Sequence, residues 1–479
     1  MPAVRPRRLV PVLAAAVLVA VCLGTGASAT SSSFGPPPPQ NPATTTTGTA
    51  TMHGDTASSD TTPYAGPGTG KVVAKRTALA SACPAILIGS DGYVVTLCTA
   101  IFGRTPTVHL LDPSTGADLA SLPLAKGSLF GGVYAYLDDE DRLVVVDGDK
   151  SLLRIGHHHD DDGWRLTVDE TTPIGSALPA DAAVVGLSPG WDREVWVAAS
   201  DGTVGTVAED GTVRTIALGE PVQNSISTVE GRTAVVTEHA LYVLSARADG
   251  SPQVRWRAPY DRGPGRKPGQ LSWGSGATPT FFGPRTGTEY VTITDNAAPH
   301  ERLLVFRTDG GPTPICALPV LTRPANSGTE DSPIASGRSV FVTNTFGYPY
   351  PALPDGAPAS VPSSGSFDGG MTRVDVRPDE SGCDVVWEST VKSAALPRLS
   401  LGDDLIYTVT ASGPTGTVGS QTFATYSYAV VDPHTGRLLT TTALGIGLLY
   451  NPLQMTGTTG SDGTFYQGTE TGVVRVRRG

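Results

Sequence analysis

Residues 277–296, ATPTFFGPRTGTEYVTITDN, show the unit from which most of the chain is built. A proline-led apolar strand over 278–282 is followed by a glycine-rich turn and by a second strand over 289–294. Variants of this unit recur about every 50 residues, a period typical of propellers and solenoids, in which each unit buries its apolar faces against its neighbours.

The first strand of several repeats has the form x-Pro-apolar run-Gly. The clear copies are CPAILIG from Cys83, TPTFFG from Thr278, SPIASG from Ser332, LPRLSLG from Leu396 and NPLQMTG from Asn451. Proline is tolerated at the first residue of a strand, where no ladder hydrogen bond is lost. Three looser copies begin near Gly131, Ala182 and Asn224, so the repeats number eight.

A tight turn before the outer strand recurs as Asp-Pro-x-Thr-Gly at 112–116 and 432–436. Its proline and glycine stand at the positions that favour a β-turn, so each repeat reads as four antiparallel strands. The last repeat shows three strands, and a spare strand over 72–77 can pair with it and close the ring, which removes free sheet edges. We therefore predict an all-β protein, an eight-bladed β-propeller over 71–479 closed by pairing of the N- and C-terminal strands.

The first 70 residues differ from the repeats. Basic residues, an apolar run over 9–23 and a small-residue site at 27–29 form the pattern of a secretory signal peptide, cleaved near Ala29. Residues 30–70 are rich in Thr, Ser, Pro and Gly and predict a disordered linker, because they offer too little apolar surface to bury. We expect a secreted, extracellular protein without a transmembrane segment, since no later apolar run approaches about 18 residues. Export by the Sec or the Tat route stays open.

The net charge is −11. Nucleic acids and anionic lipids need a basic surface, so neither is an expected partner. The acidic balance favours solubility outside the cell over recognition of a cationic partner. The expected partner is a small molecule or an extracellular protein, and the expected state is a monomer.

Four cysteines remain after the leader, an even number that predicts disulfides in a secreted protein. Cys83 and Cys98 lie at equal distances from a hairpin turn and should face each other across it. Cys316 and Cys383 fall on the outer strands of neighbouring blades 5 and 6. We predict the pairs 83–98 and 316–383, both structural.

Polar residues recur on one face of the predicted ring, where first strands begin and second strands end. The candidate ligand-binding residues are Asn224, Glu238, Lys267, Asp295, Asn296, Glu330, Asp331, Asn344 and Asn451. Converging Asp, Glu and Asn oxygens suit Ca²⁺, which makes Asp295 and Asn296 candidate metal ligands. Asn and Asp are also preferred in β-turns, so a structural role is the alternative. Lys267 could bind an anionic group or offset nearby carboxylates.

Three long insertions fall on the same face, over 259–276, 347–370 and 412–425. Loops of such length are usually functional or disordered, and the 347–370 insertion reads as a lid or as a floppy segment. The string HHHDDD at 157–162 falls instead on the opposite rim, at the turn between the third and fourth strands of blade 2. Adjacent residues on one turn cannot all reach one ion, so a designed metal site is not expected there.

Eight blades with a D-x-x-T-G turn before the outer strand resemble the quinoprotein-type, PQQ-binding-like propellers. The resemblance covers about 71–479 and is architectural. Members that bind the quinone carry a disulfide between adjacent cysteines, a tryptophan beneath the quinone and a calcium site. No two cysteines are adjacent here, so bound PQQ is not expected.

The leading hypothesis is a binding or scaffold protein that uses the insertion-bearing face and the central channel. The first alternative is a Ca²⁺-assisted hydrolase or lactonase in the channel, with Ca²⁺ as a Lewis acid and His239 or His300 as the general base. Some calcium-dependent propeller lactonases carry similar Asp-Asn pairs, a likeness limited here to Asp295-Asn296. The second alternative is a quinone-dependent oxidoreductase.

Overall fold

The computed structural model describes Met1 and residues 32–127, 134–354, 356–415 and 420–479. The predicted signal peptide over 1–29, apart from Met1, lies outside the described residues, as does the repeat start predicted near Gly131. In the described part of the chain, no helix is long and apolar enough to cross a membrane.

Eight sheets, each built on four antiparallel strands, follow one another around the ring as blades 1 to 8, and the sheet of blade 7 has a fifth, parallel strand. Blade 1 consists of Ser81–Ile88, Val94–Ala100, Pro106–Leu111 and Asp118–Pro123. Blade 2 consists of Ala135–Leu137, Leu143–Val146, Ser151–Asp160 and Gly163–Pro173. Blade 3 consists of Val184–Pro189, Val195–Ala199, Thr203–Val207 and Val213–Ala217. Blade 4 consists of Ser227–Val229, Arg232–Val236, Ala240–Ala246 and Pro252–Pro259.

The second half of the ring repeats this plan. Blade 5 consists of Thr280–Phe282, Tyr290–Thr294, Arg302–Arg307 and Pro314–Pro319. Blade 6 consists of Ile334–Ser336, Ser339–Thr343, Met371–Val376 and Cys383–Ser389. Blade 7 consists of Arg398–Ser400, Leu405–Ser412, Thr425–Val431 and Leu438–Ile446. Blade 8 consists of Gly457–Thr459, Phe465–Thr469, Gly472–Arg478 and the N-terminal strand Val72–Ala78. Three short 3₁₀ helices cover Gly175–Ala177, Ser420–Phe423 and Leu448–Tyr450.

The ring closes as the sequence predicts. Val72–Ala78 pairs with Gly472–Arg478 in antiparallel register, with Val72 opposite Arg478 and Ala78 opposite Gly472. The eight-bladed β-propeller is therefore confirmed.

The core lies between the blades. An apolar cluster fills each of the eight interfaces between neighbouring blades. Blades 8 and 1 join in the same way, because Tyr466 and Val473 pack with Ile86 and Ile88. Both faces of the inner strands are buried, which explains why these strands read as continuous apolar runs.

One first strand begins later than its motif predicts. In NPLQMTG the strand of blade 8 starts only at Gly457, six residues after Asn451. Leu453 and Gln454 have φ angles of 55° and 57°, which an extended strand does not allow. The stretch before Gly457 is instead an irregular turn near the ring axis.

Both predicted disulfides are present. Cys83 bonds to Cys98 across the first hairpin of blade 1, and Cys316 bonds to Cys383 between the outer strands of blades 5 and 6. The turn of the 157–162 string also lies where predicted, between Ser151–Asp160 and Gly163–Pro173.

The prediction of a disordered linker over 30–70 is wrong for residues 32–70. Residues 32–479 form one compact unit, and most of residues 41–62 are buried. Phe34 packs on Phe341 of blade 6 with 5.7 Å between ring centroids. Thr61–Thr62 adds a parallel strand to Arg398–Ser400 of blade 7.

Residues 49–62, here named the plug, run around the inside of the ring in the order of the blades. Backbone N–H groups on the first strands of blades 1, 2, 4, 5, 6 and 7 donate to successive plug carbonyls. The donor and acceptor pairs are Ile88 to Thr49 (3.4 Å), Leu137 to Ala50 (2.8 Å), Thr228 to Thr56 (2.7 Å), Phe281 to Ala57 (2.9 Å), Ala335 to Ser59 (3.0 Å) and Leu399 to Asp60 (3.1 Å).

These bonds explain why the segment is ordered. The innermost strand of each blade has one unpaired edge, and buried backbone N–H groups need acceptors. The plug is rich in Thr, Ser and Ala, whose small side chains fit a narrow channel. The plug is ordered by backbone hydrogen bonds. The prediction of disorder considered only how much apolar surface the segment could bury, so it did not include these bonds.

Candidate functional site

A cavity of about 400 Å³ lies on the ring axis, between the plug and the insertion-bearing face. Its walls come from residues at or before the first strands of several blades, and Met52 and His53 of the plug also line it. Apolar side chains make up much of the lining, among them Ile101, Leu271, Leu396, Leu453 and Met455. A concave, mainly apolar pocket with a few convergent polar groups is the usual form of a small-molecule site.

Three predicted site residues meet in this cavity. They are Asn224, before the first strand of blade 4, and Glu330 and Asp331, before the first strand of blade 6. Leu271 N donates to Glu330 Oε2 at 2.9 Å, and Thr343 Oγ1 donates to Asp331 Oδ2 at 2.5 Å. Burial raises the pKa of each of the two carboxyls to about 8.

Further polar groups of the same cavity were not predicted. Tyr134 donates through its hydroxyl to Asn224 Oδ1 at 3.2 Å. Burial, with the nearby carboxyls of Glu330 and Asp331, raises the pKa of the Tyr350 phenol well above its usual value. Glu470 also lines the cavity, and burial raises its pKa. Two phenols and three carboxyls therefore surround the same space.

Asn451 lies just behind the wall. Its Oδ1 accepts a hydrogen bond from the Tyr348 hydroxyl at 2.5 Å, and its Nδ2 donates to Glu470 Oε2 at 3.2 Å. Tyr348 belongs to the 347–370 insertion and is buried, as is Phe367. These contacts anchor both ends of the insertion, whose residues Tyr350, Pro351 and Ala352 reach the cavity.

Glu238 and Asn296 hold the 259–276 insertion in place instead of lining the cavity. Glu238 forms a 2.7 Å ion pair with Arg262, whose guanidinium lies 3.7 Å above the Trp273 ring. Asn296 Nδ2 donates to the carbonyls of Arg262 at 2.8 Å and Gly265 at 2.9 Å. These contacts give the two residues a structural role.

Asp295 is fully buried and bonded on both oxygens. Its Oδ1 accepts from the Arg302 backbone N at 2.7 Å, and its Oδ2 accepts from Arg302 Nε at 2.7 Å. The Asn296 oxygen accepts from Gln270 Nε2 at 3.2 Å. Since a guanidinium already neutralises the carboxylate, the pair does not fit a Ca²⁺ site in this arrangement. In the described ranges, no group of three or more His, Cys, Asp or Glu side chains is arranged around a shared metal position.

Asn344 and Lys267 also make internal contacts. Asn344 Nδ2 donates to the carbonyls of Asn326 at 2.7 Å and Gly369 at 2.9 Å. Lys267 is buried, and its Nζ lies 2.8 Å from the Ala297 carbonyl and 3.4 Å from Glu301 Oε1. Of the two roles considered for Lys267, these contacts favour the offset of a nearby carboxylate.

The histidine of the cavity is neither His239 nor His300. It is His53, whose Nδ1 lies 2.9 Å from Asp60 Oδ2. Sequence reasoning missed it because it stands in the stretch assigned to a disordered linker. The available signal was its short spacing to Asp55 and Asp60 within a Ser/Thr-rich segment, and that pattern has little specificity.

No protein-family model matches the chain, and no curated protein matches it. Among solved structures, the quinohemoprotein alcohol dehydrogenase from Comamonas testosteroni is similar with a TM-score of 0.54 at 10% identity, over 89% of this chain and 80% of that chain. BamB from Moraxella catarrhalis gives a TM-score of 0.47 at 10% identity, over 85% of this chain and 98% of that chain. Streptogramin B lyase gives 0.42 at 10% identity, over 85% and 97% of the two chains. At 10% identity, the similarity to the alcohol dehydrogenase concerns the fold alone. It agrees with the resemblance to quinoprotein-type propellers that the sequence indicates.

Proposed function

We propose that this protein binds a small, largely apolar molecule that carries one cationic group, and that the cavity on the ring axis is the site. The observation that carries this proposal is the set of three carboxyls, Glu330, Asp331 and Glu470, in an otherwise mainly apolar cavity. The two disulfides are consistent with an extracellular protein, in which such a ligand would come from the surroundings.

A cationic ligand is favoured because the three carboxyls lack an ion-pair partner within the described part of the chain. In the described part of the chain, no Arg, Lys or His side chain forms an ion pair with any of the three, and burial raises the pKa of each. A buried carboxylate without a partner is costly, and an ammonium group would remove that cost through charge-assisted hydrogen bonds. Tyr134 and Tyr350 also line the cavity, and tyrosine rings attract cations.

An anionic ligand fits the cavity poorly. Arg104 is the only guanidinium or ammonium group among the described residues that line it, and Arg104 is exposed. An anion would have to approach three carboxyls with one solvated cation to compensate. An anionic group would disfavour the ionised form of these carboxyls and would be repelled by it.

The test uses three probes with the same aromatic body: phenethylamine, phenethyl alcohol and 3-phenylpropionate. Isothermal titration calorimetry at pH 7 should show the amine binding about tenfold more tightly than the alcohol, the value of one charge-assisted hydrogen bond. The carboxylate should bind most weakly. Equal affinities for amine and alcohol, or no binding by any probe at millimolar concentration, would refute the proposal.

Two variants locate the site. Glu330→Gln keeps the acceptor for Leu271 N and removes the carboxyl that can ionise to pair with a bound ammonium group, so the preference for the amine should shrink. Asp295→Asn serves as the matched control, because Asp295 is a buried carboxyl outside the cavity. The Asp295→Asn variant should bind phenethylamine with the affinity of the wild type.

A further inference from the structure

The plug brings an oriented imidazole into the cavity. His53 is 7% exposed, and it is tied to Asp60 through both main chain and side chain. Asp60 N donates to the His53 carbonyl at 3.0 Å, and His53 Nδ1 lies 2.9 Å from Asp60 Oδ2. The ring is therefore fixed in position before any ligand arrives.

Asp60 is itself held by the ring of blades. It is fully buried, with Arg398 Nη1 at 3.6 Å from its Oδ1 and Thr456 Oγ1 at 3.4 Å. Arg398 Nη2 also donates to the Met52 carbonyl at 2.7 Å, next to His53 in the chain. The guanidinium lies beside one oxygen of Asp60, and the other oxygen contacts the imidazole and holds its orientation.

The contact with Asp60 decides what the other ring nitrogen can do. A carboxylate accepts hydrogen bonds, so Nδ1 donates its hydrogen to Asp60; in the neutral form of the imidazole, the lone pair is then at Nε2. In the described part of the chain, no hydrogen-bond partner of Nε2 is found, while His53 lines the cavity. An oriented acceptor in a confined space is a recognition element for a donor group.

We infer that His53 Nε2 forms a second subsite, on the plug side of the cavity, that accepts a hydrogen bond from a hydroxyl group of the ligand. This inference rests on the proposed function and specifies its ligand class: an apolar body with an ammonium group and, apart from it, a hydroxyl group. Asp60 is a positioning residue for this subsite. The carboxyls thus bind the ammonium group of the ligand, and the imidazole binds its hydroxyl group.

Matched probes separate the two groups. Tyramine differs from phenethylamine by one phenolic hydroxyl, and 4-ethylphenol differs from ethylbenzene in the same way. The wild-type full-length protein should bind tyramine about fivefold more tightly than phenethylamine, the value of one net hydrogen bond. In His53→Phe the ratio of the two affinities should fall to about one, whatever the change in the affinity for phenethylamine itself. His53→Gln, which keeps a donor for Asp60, covers the case in which His53→Phe does not fold.

The control is His109→Phe. His109 forms a comparable 3.0 Å contact with Asp118 in blade 1, outside the cavity, so this variant should leave both affinities unchanged. A tyramine to phenethylamine ratio of one in the wild type, or an unchanged ratio in the His53 variants, would overturn the subsite. The pair of 4-ethylphenol and ethylbenzene carries no ammonium group. It therefore tests the hydroxyl subsite at His53 separately from the proposed preference of the carboxyls for a cation.

Discussion

Asp60 and His53 hold each other by a backbone hydrogen bond of 3.0 Å and a side-chain contact of 2.9 Å, and Arg398 lies behind Asp60 at 3.6 Å. Arg398 is 1% exposed and also donates to the carbonyl of Gly457 at 3.0 Å. This buried arginine therefore connects the plug to blades 7 and 8.

Replacing Arg398 by methionine should lower the free energy of unfolding by about 3–5 kcal/mol, because Asp60 would be left buried without its cation. Urea unfolding at pH 7 measures the change. Arg285→Met removes an arginine that is 78% exposed from its pair with Glu289, and it should cost less than about 1 kcal/mol. Similar small costs for both variants would show that Asp60 does not depend on Arg398.

Gly54 should tolerate no side chain. Its φ is 90°, and an added Cβ would lie 2.6 Å from both Arg398 Nη1 and the Thr61 carbonyl oxygen. Gly54→Ala should therefore lower the melting temperature more than Gly92→Ala, in which φ is 84° but nothing lies within 4 Å of the added Cβ. The loss of stability in Gly92→Ala measures backbone strain alone, about 1–2 kcal/mol. The additional loss in Gly54→Ala measures the steric clash within the plug. Equal losses would mean that the plug can move aside.

The stability of the protein should depend on pH through Glu330. Burial raises its pKa to about 8 in the folded state, whereas an unfolded glutamate titrates near its usual 4.5. The folded state thus binds the proton more tightly, so the contribution of Glu330 is complete below about pH 4 and is lost as pH rises through 8. Relative to the wild type, Glu330→Gln should gain stability between pH 5 and pH 8.5.

Urea unfolding of both proteins at several pH values checks this sign. Glu140→Gln is the control, since Glu140 is 68% exposed, and its curve should run parallel to that of the wild type. A Glu330→Gln curve that also stays parallel would contradict the raised pKa.

The two disulfides should differ in what their removal costs. The 316–383 bond closes a sequence separation of 67 residues, and the 83–98 bond closes one of 15. On the chain-entropy account, the alanine double variants should lose about 4 and about 3 kcal/mol respectively. Unfolding of each double variant under non-reducing conditions provides the comparison, and a larger loss for the 83–98 pair would contradict the entropic ordering.

The candidate site was predicted only in part. Most of the residues predicted where strands begin or end stand near those positions, because turns and strand alternation are local properties; Asn451 is an exception, since its strand starts only at Gly457. Their roles depend on which way each side chain points across the ring. Glu330 and Asp331 reach the cavity, whereas Asp295 turns to Arg302 at the start of the adjacent strand of blade 5.

The sequence by itself determined the number of blades, the closing strand pair and both disulfides, because apolar alternation, proline and glycine turns and cysteine spacing act within one or two blades. Only the tertiary structure decided that residues 49–62 line the ring and that His53 enters the cavity. The plug buries few large apolar side chains, and its acceptors are matched by N–H donors from six blades that are far apart in the chain. Those donors share one axis only after the ring has closed.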